Sequence, residues 1–213
     1  RRWRWDRSSD VCSSDRATGA DATLKKGDRI VFLGDSITQA GERPGGYIQV
    51  VREFLKARHA KQELEVIGAG IGGHKVPDLE KRLDRDVLAH KPKVVVIYIG
   101  INDVWHSQNG KGTSKQDFEA GLGRLIERIE KAGARVVLWT PSVIGEKPAG
   151  TNALDKMLGE YAGISRSVAA KTRVQLLDLN REFHGYLGRH NPLGSEQGVL
   201  TSDGVHLNVS GNR

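Results

Sequence analysis

The 213-residue sequence predicts an α/β fold in which helices cover both faces of one five-stranded parallel sheet. Three observations predict it. Five short apolar runs rich in β-branched residues alternate with longer stretches whose apolar residues recur at helical spacing. Two of those runs, Ile30–Leu33 and Val94–Ile99, are apolar throughout, as strands covered on both faces are. The first run stops at Gly34, and the next residue but one is Ser36. A serine there lies at the carboxyl rim of the sheet, where open α/β sheets bind ligands.

Each element can be justified in order. After the first strand and the Ser36 loop, Tyr47, Val50, Val51, Phe54 and Leu55 share one helical face. Leu64–Ile67 reads as a second strand that ends in a glycine-rich turn, Gly68–Gly73. Pro77 suits the first turn of a helix that carries Leu79, Leu83 and Val87 on one side. Lys93–Ile99 is the third strand. Ser114 and Asp117 resemble a capping box ahead of a helix faced by Phe118, Leu122, Leu125, Ile126 and Ile129. Arg135–Trp139 is the fourth strand, halted by Pro141. Asn152 caps a helix bearing Leu154, Leu158, Tyr161 and Val168. Val174–Leu179 is the fifth strand. Right-handed crossovers leave few topologies, and the flavodoxin-like order 2-1-3-4-5 brings the first and third strands together at the switch point.

Composition narrows the function classes. Formal charge is +7, but acidic and basic residues are interspersed, and beyond Arg1-Arg2-Trp3-Arg4-Trp5 at the extreme N-terminus no basic stripe with interleaved aromatics suggests a nucleic-acid partner. No apolar run reaches the length of a membrane span. The single Cys12 rules out an intrachain disulfide framework. Residues 1–19 differ from the rest. They hold five basic and three acidic residues, so without them the charge falls to +5. Asp10–Asp15 back-translates to GAC GTG TGC TCT TCC GAT, like the end of a sequencing adapter. The expectation is a non-native leader at 1–19 and one domain at 20–213. A native signal peptide would then be missing from the chain, and a periplasmic or secreted location is the leaning.

Four short stretches carry the chemistry: Gly34-Asp35-Ser36, Gly68–Gly73, Gly100–Asp103 and Asp203–His206. Parallel strands end on one edge, so the first three converge there, and the fourth joins if the chain folds back. Acyl transfer needs a serine with a base to take its proton. Ser36 and His206 fit those parts, and Asp203 would hold the imidazole in its tautomer. The oxyanion needs preorganised donors. The N–H groups of Ser36 and Gly73 and the Asn102 amide are candidates. Asp103 suits a local backbone contact. Asp35, His74 and Trp105 are candidates for substrate contact, with Trp105 either walling an acyl or sugar pocket or packing under a loop.

Taken in order, these stretches resemble the blocks of the SGNH (GDSL) hydrolase family over about residues 27–213. The resemblance matches the catalytic serine to Ser36, the oxyanion glycine to Gly73, the asparagine to Asn102, and the Asp-x-x-His pair to Asp203 and His206. It implies the three-layer α/β/α sandwich and a serine ester hydrolase without metal or cofactor. The first guess at its substrate is an acetylated carbohydrate. A lysophospholipase-like lipid esterase or a non-catalytic carbohydrate-binding member is the alternative. Gly68 departs from the asparagine common in the family, which bears on the local turn. Family members continue with a C-terminal helix, so Leu207 onward reads as the start of a truncated one. The Gly68-x-Gly70-x-x-Gly73 stretch also matches a dinucleotide fingerprint, but Pro77 delays its helix and the next strand ends in Gly100, not an acid.

Overall fold

The computed structural model describes residues 24–213, so the leader assigned to 1–19 lies outside the described residues. The five strands are β1 (Arg29–Gly34), β2 (Glu65–Gly70), β3 (Val94–Tyr98), β4 (Arg135–Trp139) and β5 (Gln175–Leu177). They are all parallel, in the order 2-1-3-4-5. Period-2 alternation then divides the side chains between two faces. Val31, Leu33, Val95, Ile97, Val136 and Leu138 share one face and are buried. Phe32, Tyr98 and Trp139 share the other, where they meet Tyr47 with ring centroids 5.5–6.2 Å apart.

Seven α-helices connect or follow these strands: α1 (Ser36–Gly41), α2 (Tyr47–Arg58), α3 (Val76–Asp86), α4 (Ile101–Trp105), α5 (Lys115–Lys131), α6 (Asp155–Thr172) and α7 (Leu179–His190). Helices α3, α5 and α6 pack in succession on one another. Ser114 caps α5 as its spacing predicts: its hydroxyl accepts the Asp117 N–H at 3.0 Å. Helix α7 seats Phe183 and Leu187 against Val143 and Leu200, a second small core beside the sheet.

The structure differs from the sequence reading in five places. Strand β2 continues to Gly70, because Phe32, Leu33 and Gly34 pair with Gly68, Ala69 and Gly70. The stretch after Gly34 is helix α1, too short to show a periodic pattern. Asn152 does not cap α6, which starts at Asp155; its N–H and side-chain amide instead donate to the Asp155 carboxylate, folding the loop ahead of the helix. The fifth strand stops at Leu177 instead of Leu179, and Asp178 accepts the Arg181 N–H to cap α7. Leu207–Arg213 are turns rather than regular helix, although Asn208 is bonded as a helix N-cap is: its Oδ1 accepts the N–H groups of Ser210 and Gly211 and its carbonyl accepts that of Asn212.

Close approach explains the glycines that end β1 and β2. A Cβ on Gly34 would sit 2.5 Å from the Tyr98 carbonyl oxygen, and one on Gly70 would sit 2.1 Å from the Gln39 backbone nitrogen. Both obstructions are backbone and cannot swing aside. Gly70→Ala is therefore expected to cost about 3 kcal/mol, at the upper end of overpacking penalties, and to lower the urea midpoint accordingly.

Candidate active site

At the carboxyl edge of the sheet β1 ends with Gly34 beside Gly70 of β2 and Tyr98 of β3. The chain turns at once into α1. Asp35 caps that helix, its Oδ1 accepting the Ile37 N–H at 2.9 Å. Ser36 is the first helical residue, so its own N–H has no acceptor within the helix. Asp35 is only 2% exposed. Its carboxyl therefore caps the helix that Ser36 begins, from beneath, instead of opening to solvent. Burial pushes its pKa up to about 7, against the pull of the Ile37 N–H; the nearby Asp103 adds to the rise and His206 opposes it.

Ser36 Oγ lies 2.9 Å from His206 Nε2, and His206 Nδ1 lies 2.7 Å from Asp203 Oδ2. The other carboxylate oxygen of Asp203 accepts the N–H groups of Val205 at 3.0 Å and His206 at 2.8 Å. Burial would raise the Asp203 carboxyl, but the His206 ring and these two N–H donors outweigh it and hold it below its usual range. The carboxylate is thus ionised and aimed at Nδ1, the arrangement that leaves Nε2 free to accept a proton from Ser36.

No strand carries Asp203 and His206, so something else must fix them. The buried Glu146 carboxylate accepts from the N–H groups of Val199 and Leu200 at 2.7 Å each, from Thr201 N–H at 2.5 Å and from the Thr201 hydroxyl at 2.7 Å. The Thr201 hydroxyl in turn accepts the Gly204 N–H at 3.0 Å. Backbone bonds from Gly145 to Gly204 and from Glu146 to Glu196 complete the knot. Asp203 is two positions after Thr201, so the knot sets where the Asp-x-x-His segment starts.

Gly73 and Asn102 follow the ends of β2 and β3. Gly73 adopts φ +77°, in the region that favours glycine. Asn102, on the first turn of α4, donates one amide N–H to the His74 carbonyl at 3.1 Å, which leaves the other for a ligand. Asp103, buried behind it, accepts the Val76 N–H at 3.1 Å and ties α3 to α4. Burial pushes the Asp103 pKa up to about 6, with the Val76 N–H among the groups pulling it down. Arg82, 5% exposed, joins the two sides: it donates to the Gly34 carbonyl at 2.8 Å and to His74 Nδ1 at 3.1 Å. That bond requires His74 to be neutral with its proton on Nε2. Burial, then the Arg82 charge, lowers the His74 pKa to match.

Ser36, Asp203 and His206 thus come together as one hydrogen-bonded chain, with Gly73 and Asn102 on the adjoining strand ends. His74 serves through its carbonyl and its bond to Arg82. Trp105 stands at the rim, 37% exposed. Glu146 and Arg82 were not singled out in the sequence. The departure at Gly68 also has a local cause: a Cβ there would meet the Glu42 side chain, which pairs with Arg52.

Two consequences can be measured. Glu146→Gln offers one acceptor and a misplaced donor to four donors, and is expected to cost about 2–4 kcal/mol of stability. Displacing the loop should lower kcat about 10- to 100-fold with little change in KM. For Asp35, whose pKa is raised on folding, the folded state holds a proton the unfolded chain has released at any pH between about 4 and 7, so stability falls as pH rises through that window. Asp35→Asn keeps the cap but cannot ionise. It should match the wild type near pH 4 and exceed it near pH 8 by on the order of 2–4 kcal/mol, read from urea midpoints at the two pH values.

Residues 32–213 match the GDSL-like Lipase/Acylhydrolase family. The chain is 44% identical to the acetyl xylan esterase AlAXEase, whose crystal structure superposes with a TM-score of 0.84 over 87% of this chain and 94% of that one. It is 29% identical to the acetylxylan esterase of Geobacillus stearothermophilus, over 89% of this chain and 90% of that protein, and the structure of that enzyme, Axe2, gives a TM-score of 0.78. It is 26% identical to the isoamyl acetate-hydrolyzing esterase 1 homolog of Mus musculus, over 93% of this chain and 81% of that one. With the predicted topology and this match over most of its length, the chain belongs to the GDSL-like lipase/acylhydrolase family and is a carboxylic-ester hydrolase.

Proposed function

We propose that the chain is a serine esterase that releases acetyl groups from acetylated saccharides, with Ser36 as nucleophile. The Ser36–His206–Asp203 chain, with its spacings of 2.9 and 2.7 Å, is the observation that carries this reading. Ser36 Oγ attacks the ester carbonyl as its proton passes to His206 Nε2, and Asp203 stabilises the imidazolium. The oxyanion takes hydrogen bonds from the N–H groups of Ser36 and Gly73 and from the free amide hydrogen of Asn102. Collapse breaks the bond to the alcohol, which leaves with the proton from Nε2. Water then attacks the acetyl-serine, giving one proton to His206, and acetate departs as that proton returns to Ser36.

The acetyl assignment comes from the relatives. Acetylxylan and isoamyl acetate differ in the alcohol but share the acyl group, and each names the substrate of one of the enzymes compared above. The saccharide assignment rests on the two acetylxylan esterases, which include the relative at 44% identity. Among the described residues no helix is long and apolar enough to cross a membrane.

Turnover of p-nitrophenyl acetate, p-nitrophenyl octanoate and acetylated xylo-oligosaccharides tests the reading. The acetyl compounds should be favoured and the octanoate poor. Ser36→Ala should lose about three or more decades in kcat, and an organophosphonate should label Ser36 and no other serine. Asn102→Ala should lower kcat roughly 100- to 1,000-fold with KM little changed. Labelling at Ser142 or Ser202 with Ser36 untouched would overturn the mechanism.

A further inference from the structure

A cavity of about 450 Å³ lies against the triad on the far side of Asp203 from Ser36. Its walls come from the elements that hold the reacting groups. Trp105 is three residues after Asn102 on α4, so the two lie on neighbouring positions of one helix face. Across from it stand Asp203 and Val205, from the loop that ends in His206. Asp203 also lines the cavity that contains Ser36 and His206, so the two spaces share that residue. The 450 Å³ cavity therefore abuts the reaction centre between the oxyanion helix and the triad loop.

An acetyl group has no use for such a volume, which is that of a small-molecule site. The lining says what would. Ile144, Leu154 and Val205 give it apolar surface. The rim is polar: Lys147 pairs with Glu196, and the exposed side-chain amides of Gln108 and Gln197 have no protein partner among the described residues. A hydrocarbon chain would leave that rim unused and strip water from it at a cost. A sugar ring presents apolar C–H faces and hydroxyl edges together, which suits an aromatic plane beside amides that both donate and accept.

We propose that this cavity is the subsite for the saccharide unit next to the acetylated one, with Trp105 as its platform and Gln108 and Gln197 as hydroxyl partners. The proposal rests on the acetyl-saccharide reading and deepens it: it makes the enzyme selective for acetylated oligomers over acetylated monosaccharides and simple acetates. Contacts remote from the ester contribute to transition-state binding only when the substrate is long enough to reach them.

The test compares kcat/KM on acetylated xylotriose, on an acetylated methyl xyloside and on p-nitrophenyl acetate, for the wild type, Trp105→Ala and Gln197→Ala. The wild type should prefer the trisaccharide to the monosaccharide. Trp105→Ala should reduce the ratio of trisaccharide to p-nitrophenyl acetate activity by about 10- to 100-fold, and Gln197→Ala by about 3- to 10-fold, mostly through KM. Gln197 is on an exposed loop, so its variant keeps the test open if Trp105→Ala fails to fold. Ratios within about twofold of the wild type for both variants overturn the subsite while leaving the acetyl-saccharide reading in place. A gain in p-nitrophenyl octanoate turnover by Trp105→Ala, at an unchanged saccharide ratio, also overturns it and makes the cavity an acyl pocket. A wild type that hydrolyses p-nitrophenyl acetate but neither acetylated sugar overturns the underlying reading itself.

Discussion

Strand β1 is hydrogen-bonded to β2 on one side and β3 on the other, both parallel and in a register that ends Gly34 beside Gly70 and Tyr98. The placement of Ser36, Gly73 and Asn102 descends from that pairing. Parallel strands deliver their carboxyl ends to one edge, so residues 36, 73 and 102 arrive together although long stretches of chain separate them. The pairing also demands that the chain leave β1 within a very small space, which is why glycines end both β1 and β2 there. Arg82 adds a link across the edge, from the Gly34 carbonyl to the ring of His74.

The base and its acid arrive by a different route. The sheet ends at β5, and Asp203 and His206 come from a loop after α7. Hydrogen bonds to a buried charge are stronger than neutral ones, and a buried carboxylate without them would be costly. The four donors on Glu146 therefore serve both needs at once. Asp35 and Asp103 are also buried but have fewer donors, and burial raises their pKa values to about 7 and 6.

How far the sequence made this legible depended on the range of the contact concerned. The sheet order, the β4 limits and the α5 cap rest on periodicity or on residues a few positions apart, and they read directly. The triad residues were legible because their types and order formed a pattern, not because spacing alone implied contact. Helix α7 carried a readable signal, with Leu179, Phe183 and Leu187 at fourfold spacing after a capping Asp178, and assigning Leu179 to the fifth strand hid it. Asn152 misled because a capping residue and a loop-folding residue look alike when the helix start is uncertain. Glu146 left no local trace: it sits in a loop rich in Gly, Pro and Lys, and its partners lie 53 to 55 positions away. Arg82 was equally hidden, because an arginine on an amphipathic helix reads as a solvent-facing charge until its acceptors are known.

The Glu146 knot also bears on how the molecule breathes. Surface loops usually open at little free-energy cost, and their amides exchange hydrogen with water early. The amides of residues 199–201 share one buried acceptor group, so releasing one alone leaves the carboxylate underbonded in the interior. They must open as a unit, together with the bonds that Gly145 and Glu146 make to the same loop. The segment that leads to His206 is therefore expected to exchange slowly, although it has no regular secondary structure. The His206 imidazole stands at the end of a loop whose opening is tied to a carboxylate in the interior.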